Sequence, residues 1–559
     1  MTTPPESSNS EREENAFADA PVENGDSPPE ESISRFAGPV SLATLISRVA
    51  GFFRDLLIAK FFGAAMMADA FFVAFAIPNL FRRMFMEGAL SSSFLPVYSD
   101  VREQSGPREA KKFAGGMLVF LIFAGSAGCA IGIWFADPLM RVLAPGFASN
   151  PEKLDLAAQL TRIMFPFIIF IGLWAVAAGM LNAARRFFVP AFAPALQNVV
   201  IIFALLLAGF WASRAEAIRW LAWAVVIGGA AQFFFQLPFM GKLRILPLPS
   251  IPWRVEGVGR CLALMGPAAL GGAIFQINVL VDRWLASFLA EGSISYLYYA
   301  NRLVQLPHGI LSLAVVSAVL PVLSDYAAQN RENSVSGDSE RNAILEAGRL
   351  TLFITIPSSF GLMVLAHPIM EVIFERGAFT QDHTVASAAA LRAYAAGLMF
   401  FGVTRLLAGV FHARLNTSFP MKCANIAVLA NVALSVALMF PLGFVGLALA
   451  TSCSSALNAA LLVRGVVREW SDFPKRELAH SLSRLLALGI LTGVLAYFVH
   501  FQLVHLQLWD AQRSSALKLV MMMLEVSLAA CFYIFMAKKI DASSYETWRR
   551  FTRLTWRKS

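Results

Sequence analysis

Runs of about twenty apolar residues, each long enough to cross a hydrocarbon layer as a helix, recur from residue 39 to residue 537. Lipid offers backbone N–H and C=O groups no partner, so runs of this length read as transmembrane helices whose hydrogen bonds close internally. About fourteen such spans emerge, at 39–62, 68–97, 113–136, 159–182, 190–212, 217–239, 258–289, 295–323, 347–370, 385–412, 420–440, 443–466, 481–504 and 516–537. Composition agrees: of 559 residues 57% are hydrophobic and 15% charged. Mean hydropathy is +0.61, more apolar than soluble cores could hide. The fold class expected is an all-α polytopic membrane protein.

The net charge of +9 does not indicate a nucleic-acid partner, because the basic residues are dispersed in short loops between apolar runs. Their distribution reads instead as topology. With the first span starting in the cytoplasm, that side holds Arg102, Arg108, Lys111, Lys112, Arg185, Arg186, Lys242, Arg244, Arg254, Lys475, Arg476 and the tail from Lys538 to Lys558. Roughly 27 basic residues then fall inside and about eight outside, which puts both termini in the cytoplasm and makes the number of spans even. Residues 1–37 are acidic and rich in Pro, Ser and Glu, the composition of a disordered tail. That tail lacks the basic start and apolar core of a signal peptide, so the first span directs insertion. Cys129, Cys261, Cys423, Cys453 and Cys531 have no metal-ligand or redox spacing and read as small packed residues.

An internal repeat divides the chain. Pro138-Leu139-Met140-Arg141-Val142-Leu143, Arg162, Gly179 and Pro190 return at one constant offset as Pro368-Ile369-Met370-Glu371-Val372-Ile373, Arg392, Gly409 and Pro420. Leu95-Pro96-Val97 likewise returns as Leu320-Pro321-Val322. Parallel repeats of this kind build two pseudo-symmetric six-helix lobes around an axis along the membrane normal, with a central site. The expected division is a tail at 1–37, a first lobe at 38–240, a second lobe at 241–470, two additional helices at 471–540 and a basic cytoplasmic tail at 541–559.

Neither a phosphate-binding loop nor a zinc or serine-hydrolase motif is present, and no acids or histidines recur on one apolar helix face, so an enzyme is not expected. No cofactor or metal is implied. What stands out is arginine at membrane depth, where a permanent charge costs several kcal/mol unless it meets water or a partner. Arg48 and Arg54 lie in the first span, six residues or about 600° of helix apart, and can both border a wide cavity. Arg82, Arg83 and Glu87 follow Pro78-Asn79, where proline's missing donor favours a break in the helix. Arg302 follows Asn301 and precedes Pro307 in the eighth span. Three spans thus aim cations inward, a cradle suited to a diphosphate, since guanidinium groups take phosphate oxygens in pairs. Arg83, Arg162, Arg283 and Arg392 read equally as interfacial or structurally paired residues, and Arg405 stands between the two readings. Asp69 reads as a cap for the second span, Glu87 as a neutraliser of Arg82 or Arg83, and His308 and His412 as packed residues.

Several of these residues form a pattern that resembles a known family. Ser47-Arg48-Val49, Gly51-Phe52, Arg54-Asp55, Asp69-Ala70-Phe71-Phe72-Val73-Ala74-Phe75, Pro78-Asn79-Leu80-Phe81-Arg82-Arg83 and Glu87-Gly88 are similar to the opening of the MurJ (MviN) lipid II flippases. Leu297-Tyr298-Tyr299-Ala300, Arg302 and the 411–420 segment extend the likeness, which spans residues 38–540. The resemblance implies the multidrug/oligosaccharidyl-lipid/polysaccharide exporter fold, with the last two helices forming a groove for an undecaprenyl tail. It implies lipid II, the undecaprenyl-diphosphate-linked peptidoglycan precursor, as cargo, moved from the inner to the outer leaflet of the bacterial cytoplasmic membrane. It places the essential arginines at Arg48, Arg54, Arg82 and Arg302, with Ser47, Asp69, Asn79, Arg83, Glu87 and Arg405 in support. Ala76, Asn301 and Gln305 depart from relatives that carry charged residues there, so Arg302 is expected to be less neutralised. A monomer is expected, with the membrane and cell-wall synthesis proteins as further partners. Transport of another polyprenyl-diphosphate saccharide, and a non-transporting scaffold for cell-wall synthesis, are the alternatives.

Overall fold

The computed structural model describes residues 29–307, 309, 337–469, 474–510 and 514–557. These form helices joined by short turns, with no strand among the described residues. Helix α1, Pro29–Phe62, ends at Gly63 in the left-handed region, φ 64°, a conformation that glycine adopts without steric cost. Helix α2, Met66–Phe81, runs directly into a π-helical segment, Arg82–Leu90. The break expected after Pro78-Asn79 is therefore a widened turn starting at Arg82, the kind of irregularity that recurs at functional sites. Helix α3, Ser91–Trp134, is kinked at Gly106, φ 86°, where Pro107 could not continue a regular helix.

Five helices complete the first lobe: α4 Ala136–Leu143, α5 Pro151–Met164, α6 Phe167–Ala183, α7 Phe188–Trp211 and α8 Arg214–Lys242. The second lobe opens with α9 Val258–Ala286 and α10, described over 293–307 and at 309. Then come α11 Gly337–Val364, α12 Ala366–Phe374, α13 Gln381–Ala395, α14 Leu398–Ala413, α15 Ser418–Leu442 and α16 Phe444–Glu469. Helices α17 Lys475–His505 and α18 Ser515–Ile540 form the added hairpin, followed by a short amphipathic helix, α19 Ala542–Arg557.

The repeat read from residue types is also a repeat of backbone geometry. Helices α4, α5, α7 and α8 begin at Ala136, Pro151, Phe188 and Arg214, and α12, α13, α15 and α16 at Ala366, Gln381, Ser418 and Phe444, all one offset apart. Even a strained turn recurs. Arg185 and Leu415 both take the left-handed conformation, φ 57° and 59°. The residue after each closes the same helix-ending bond, Arg186 N to Leu181 O and Asn416 N to Phe411 O, both 2.9 Å. Two parallel lobes and a two-helix addition follow.

Nine helices are long and apolar enough to cross a membrane among the described residues, or ten when α13 and α14, bent by 42°, count as one crossing. Not all of the expected fourteen or so enter that count. Met66–Trp134 counts once, although it holds two expected spans joined through the π segment and the Gly106 kink. Charged residues dilute α1, and the span at 295–323 falls largely outside the described residues.

The lobes are packed together at one end of the bundle. Tyr299 of α10, fully buried, packs edge-on against Phe72 of the first lobe and Phe379 of the second and tilted against Phe374. Around these rings, Ala378 N donates to Lys60 O at 2.8 Å, Tyr299 Oη to Gly63 O at 3.1 Å and Met66 N to Glu291 Oε1 at 2.7 Å. Glycine permits the close approach: a Cβ on Gly63 would fall 2.4 Å from Ala378 O.

Candidate substrate-binding site

A cationic cluster lies where α1 and α7 of the first lobe meet α10 of the second. Asp55, fully buried, is its organising anion. Its Oδ1 accepts from Arg54 Nε at 3.0 Å, Arg54 Nη2 at 2.7 Å and Tyr298 Oη at 3.1 Å. Its Oδ2 faces Arg302 Nε at 2.7 Å in an ion pair whose N–H is not aligned for a hydrogen bond. Arg54 also donates from Nη1 to Asn198 Oδ1 at 3.0 Å, and Asn198 Nδ2 donates to the carbonyl of Ser47 at 3.1 Å. Tyr298 is held flat against Phe72, with ring centroids 3.9 Å apart.

Small residues make room for these guanidinium groups. A Cβ on Gly51 would lie 2.8 Å from Arg302 Nη2, and one on Gly309 would lie 2.3 Å from Arg48 Nη1. Arg48 of the first lobe thus rests on the backbone of α10, the helix that carries Arg302. Its side chain is exposed, while Arg54 and Arg302 keep 16% and 25% of theirs accessible. Two arginines share one carboxylate, so the cluster keeps a net positive charge with N–H groups still open. Arginine is suited to this role because it stays ionised and presents donors in a planar fork.

The other expected residues fall elsewhere. Arg82 donates from Nε and Nη2 to Asn79 Oδ1, at 3.2 and 2.8 Å, at the start of the π segment. Arg83 and Arg405 are exposed, and the side chain of Glu87 lies outside the described residues. Asp69, 1% exposed, does not cap its own helix and does not touch the arginine cluster. Its carboxylate instead accepts from Gly292 N at 2.8 Å and from Ser295 N and Oγ at 2.9 and 2.6 Å, with Lys153 Nζ at 2.8 Å. It therefore caps α10, in the opposite lobe, where free N–H groups favour an anion. Arg302, expected to be less neutralised than in relatives, has a carboxylate beside it in Asp55, from across the lobe boundary.

Residue patterns missed Asn198, Tyr298 as a ligand of Asp55, and the spacing glycines. Asn198 was detectable as a polar residue in an otherwise apolar helix. The glycines carry no signal until the facing helix is in place.

The two lobes, their end-on closure and the charged cluster between them define an exporter of the two-lobe kind. An inward-facing structure of a multidrug resistance MATE family transporter of the MOP superfamily matches this fold at TM-score 0.62 and 15% identity, over 76% of this chain and 94% of that one. The family is more specific: the chain belongs to the lipid II flippase MurJ family, whose model matches residues 58–510. A probable lipid II flippase MurJ of Buchnera aphidicola subsp. Acyrthosiphon pisum is 36% identical over 464 residues, 82% of this chain and 89% of the relative. A structure of lipid II flippase MurJ in an inward closed conformation aligns at TM-score 0.73 and 29% identity, covering 89% of this chain and 99% of that one.

Proposed function

We propose that this chain moves lipid II from the inner to the outer leaflet of the cytoplasmic membrane, binding its diphosphate at Arg48, Arg54 and Arg302, with Arg82 at the entrance. The observation that carries this reading is the sharing of Asp55 by Arg54 and Arg302. Each arginine comes from a different lobe, so an anion that engages both is sensitive to the relative position of the lobes. Rocking of one lobe against the other then changes the site's geometry and releases the anion.

The lipid tail stays outside this cluster. An apolar cavity of about 400 Å³ lies between α11, α17 and α18, lined by Phe353, Pro357, Leu362, Ala496, Val526 and Tyr533, and it reaches Pro307 of α10. Helix α10 also carries Arg302, so headgroup and tail sites adjoin one helix. We assign residues 38–240 and 241–470 to the lobes, 471–540 to the tail groove and the termini to the cytoplasm, on the charge distribution of the loops. The protein acts as a monomer and performs no covalent chemistry.

The drive is electrostatic in part. A cargo of charge near −2 gains about 2.3 kcal/mol per charge per 100 mV on leaving an interior-negative cell. The empty cationic site is drawn back inward by the same field. The test measures lipid II exposed on the outer leaflet in cells whose only copy carries Arg48→Ala or Arg302→Ala. Transport at the parental rate by correctly inserted variants would falsify the assignment.

A further inference from the structure

A second basic pocket lies far from the arginine cluster, at the opposite end of the bundle from the closed seam. It has a volume of about 330 Å³ and is walled by Arg349 of α11, by Arg476, His480 and Arg484 of α17, and by Asp541 and Ser543 where α18 passes into α19. Arg476, His480 and Arg484 are spaced four residues apart, so they form one stripe on one helix face. An anion seated on that stripe meets the guanidinium groups of Arg476 and Arg484, with Arg349 facing it from α11.

The pocket's own carboxylates do not supply that anion. Asp541 accepts from Ser481 Oγ at 2.6 Å, Ser544 Oγ at 2.8 Å and Ser543 Oγ at 2.9 Å. Burial opposes its ionisation, but these hydroxyls outweigh burial and hold the carboxyl below its ordinary range. Glu477, with 70% of its side chain exposed, reaches only Arg349 Nη2, at 3.5 Å. The Nε of Arg349 is buried without a hydrogen-bond partner. Among the described residues, no carboxylate lies within ion-pair distance of Arg476 or Arg484.

The pocket's position indicates the source of the missing anion. It lies where α17 begins, α18 ends and the amphipathic α19 turns along the bundle, with Trp548 of α19 stacked on Phe353 at 5.7 Å. A helix of that kind lies at the level of lipid headgroups, and basic pockets between helix ends there bind phosphate-bearing lipids. We propose that this pocket binds the phosphate of an anionic membrane phospholipid, with Arg476 and Arg484 as its main donors and Arg349 completing the cradle.

The experiment titrates the full-length protein in detergent with phosphatidylglycerol, phosphatidylcholine or inorganic phosphate and reads retained ligand by native mass spectrometry. Phosphatidylglycerol is expected to be retained over phosphatidylcholine. An Arg476→Gln/Arg484→Gln variant should weaken it by about tenfold per arginine removed. Arg549→Gln, the loss of one such charge on α19 outside the pocket, should leave retention unchanged. If inorganic phosphate displaces the lipid from the parental protein and the double variant ignores both, the phosphate site stands and free phosphate is an alternative source. Equal retention of the two lipids, an unaffected double variant, or an equal effect of Arg549→Gln overturns the proposal.

Discussion

Arg302 of the second lobe sets its Nε 2.7 Å from the buried Oδ2 of Asp55 in the first. The charge that neutralises a binding arginine thus comes from the lobe that must move relative to it. This ties anion affinity to the arrangement of the lobes.

Removing either arginine should reduce both binding and transport. A hydrogen bond from a guanidinium to a charged phosphate oxygen contributes about 2 kcal/mol, a factor on the order of thirty in affinity. Arg54→Ala and Arg302→Ala are expected to show that loss against lipid II in detergent, while Arg83→Ala, exposed on α2's extension, shows little. A parental affinity in Arg302→Ala would remove this residue from the site.

Asp55→Asn should act in the opposite sense on binding. It keeps the shape of the carboxylate but leaves two guanidinium groups without their shared anion, so a diphosphate becomes their best partner. Binding is expected to tighten or persist while turnover falls, because release no longer regenerates an internal ion pair. Parallel loss of binding and turnover would count against that account.

Asp69→Ala should open the closed end of the bundle. The carboxylate joins Lys153 to the first N–H groups of α10, and breaking a buried pair of this type costs roughly 3 kcal/mol. Spin labels placed across the seam should move apart in the variant. Ser295→Ala removes one hydroxyl donor and should shift the equilibrium by about 1 kcal/mol. Distances unchanged in Asp69→Ala would show that the ring packing and the hydrogen bonds around it hold this end without the carboxylate.

Gly63→Ala tests the same end sterically. The position combines φ 64° with a Cβ that would meet Ala378 O at 2.4 Å, so alanine is strained there and also holds the lobes apart. Cysteine accessibility near the seam should rise, and transport should fall without loss of membrane insertion.

Glu371→Gln should loosen the two-helix hairpin. Glu371 of α12 accepts from Lys518 Nζ at 2.6 Å and from Trp509 Nε1 at 3.0 Å, a polar fastening between the hairpin and the second lobe. Protease cleavage near residue 510 should accelerate. Transport should fall less than in Arg302→Ala, since the headgroup site is untouched.

Residue types alone were enough for the helices, the two-lobe repeat and the suspect arginines. Each rests on local physics: apolar runs must close their hydrogen bonds within themselves, and a guanidinium in such a run is too costly to be incidental. They also exposed the offset that relates α4–α8 to α12–α16, because the two halves need the same turns and helix starts.

Partners across the lobe boundary were set only by tertiary structure. Asp55 looked like Arg54's neighbour and proved also to be Arg302's counter-ion. Asp69 looked like a cap for its own helix and caps α10 instead. Both outcomes depend on how two surfaces far apart in the chain dock, and on Gly51, Gly63 and Gly309 leaving room for the approach. A chain read in order carries charge, volume and periodicity, whereas the choice of counter-ion is a long-range property that arises only when the lobes meet.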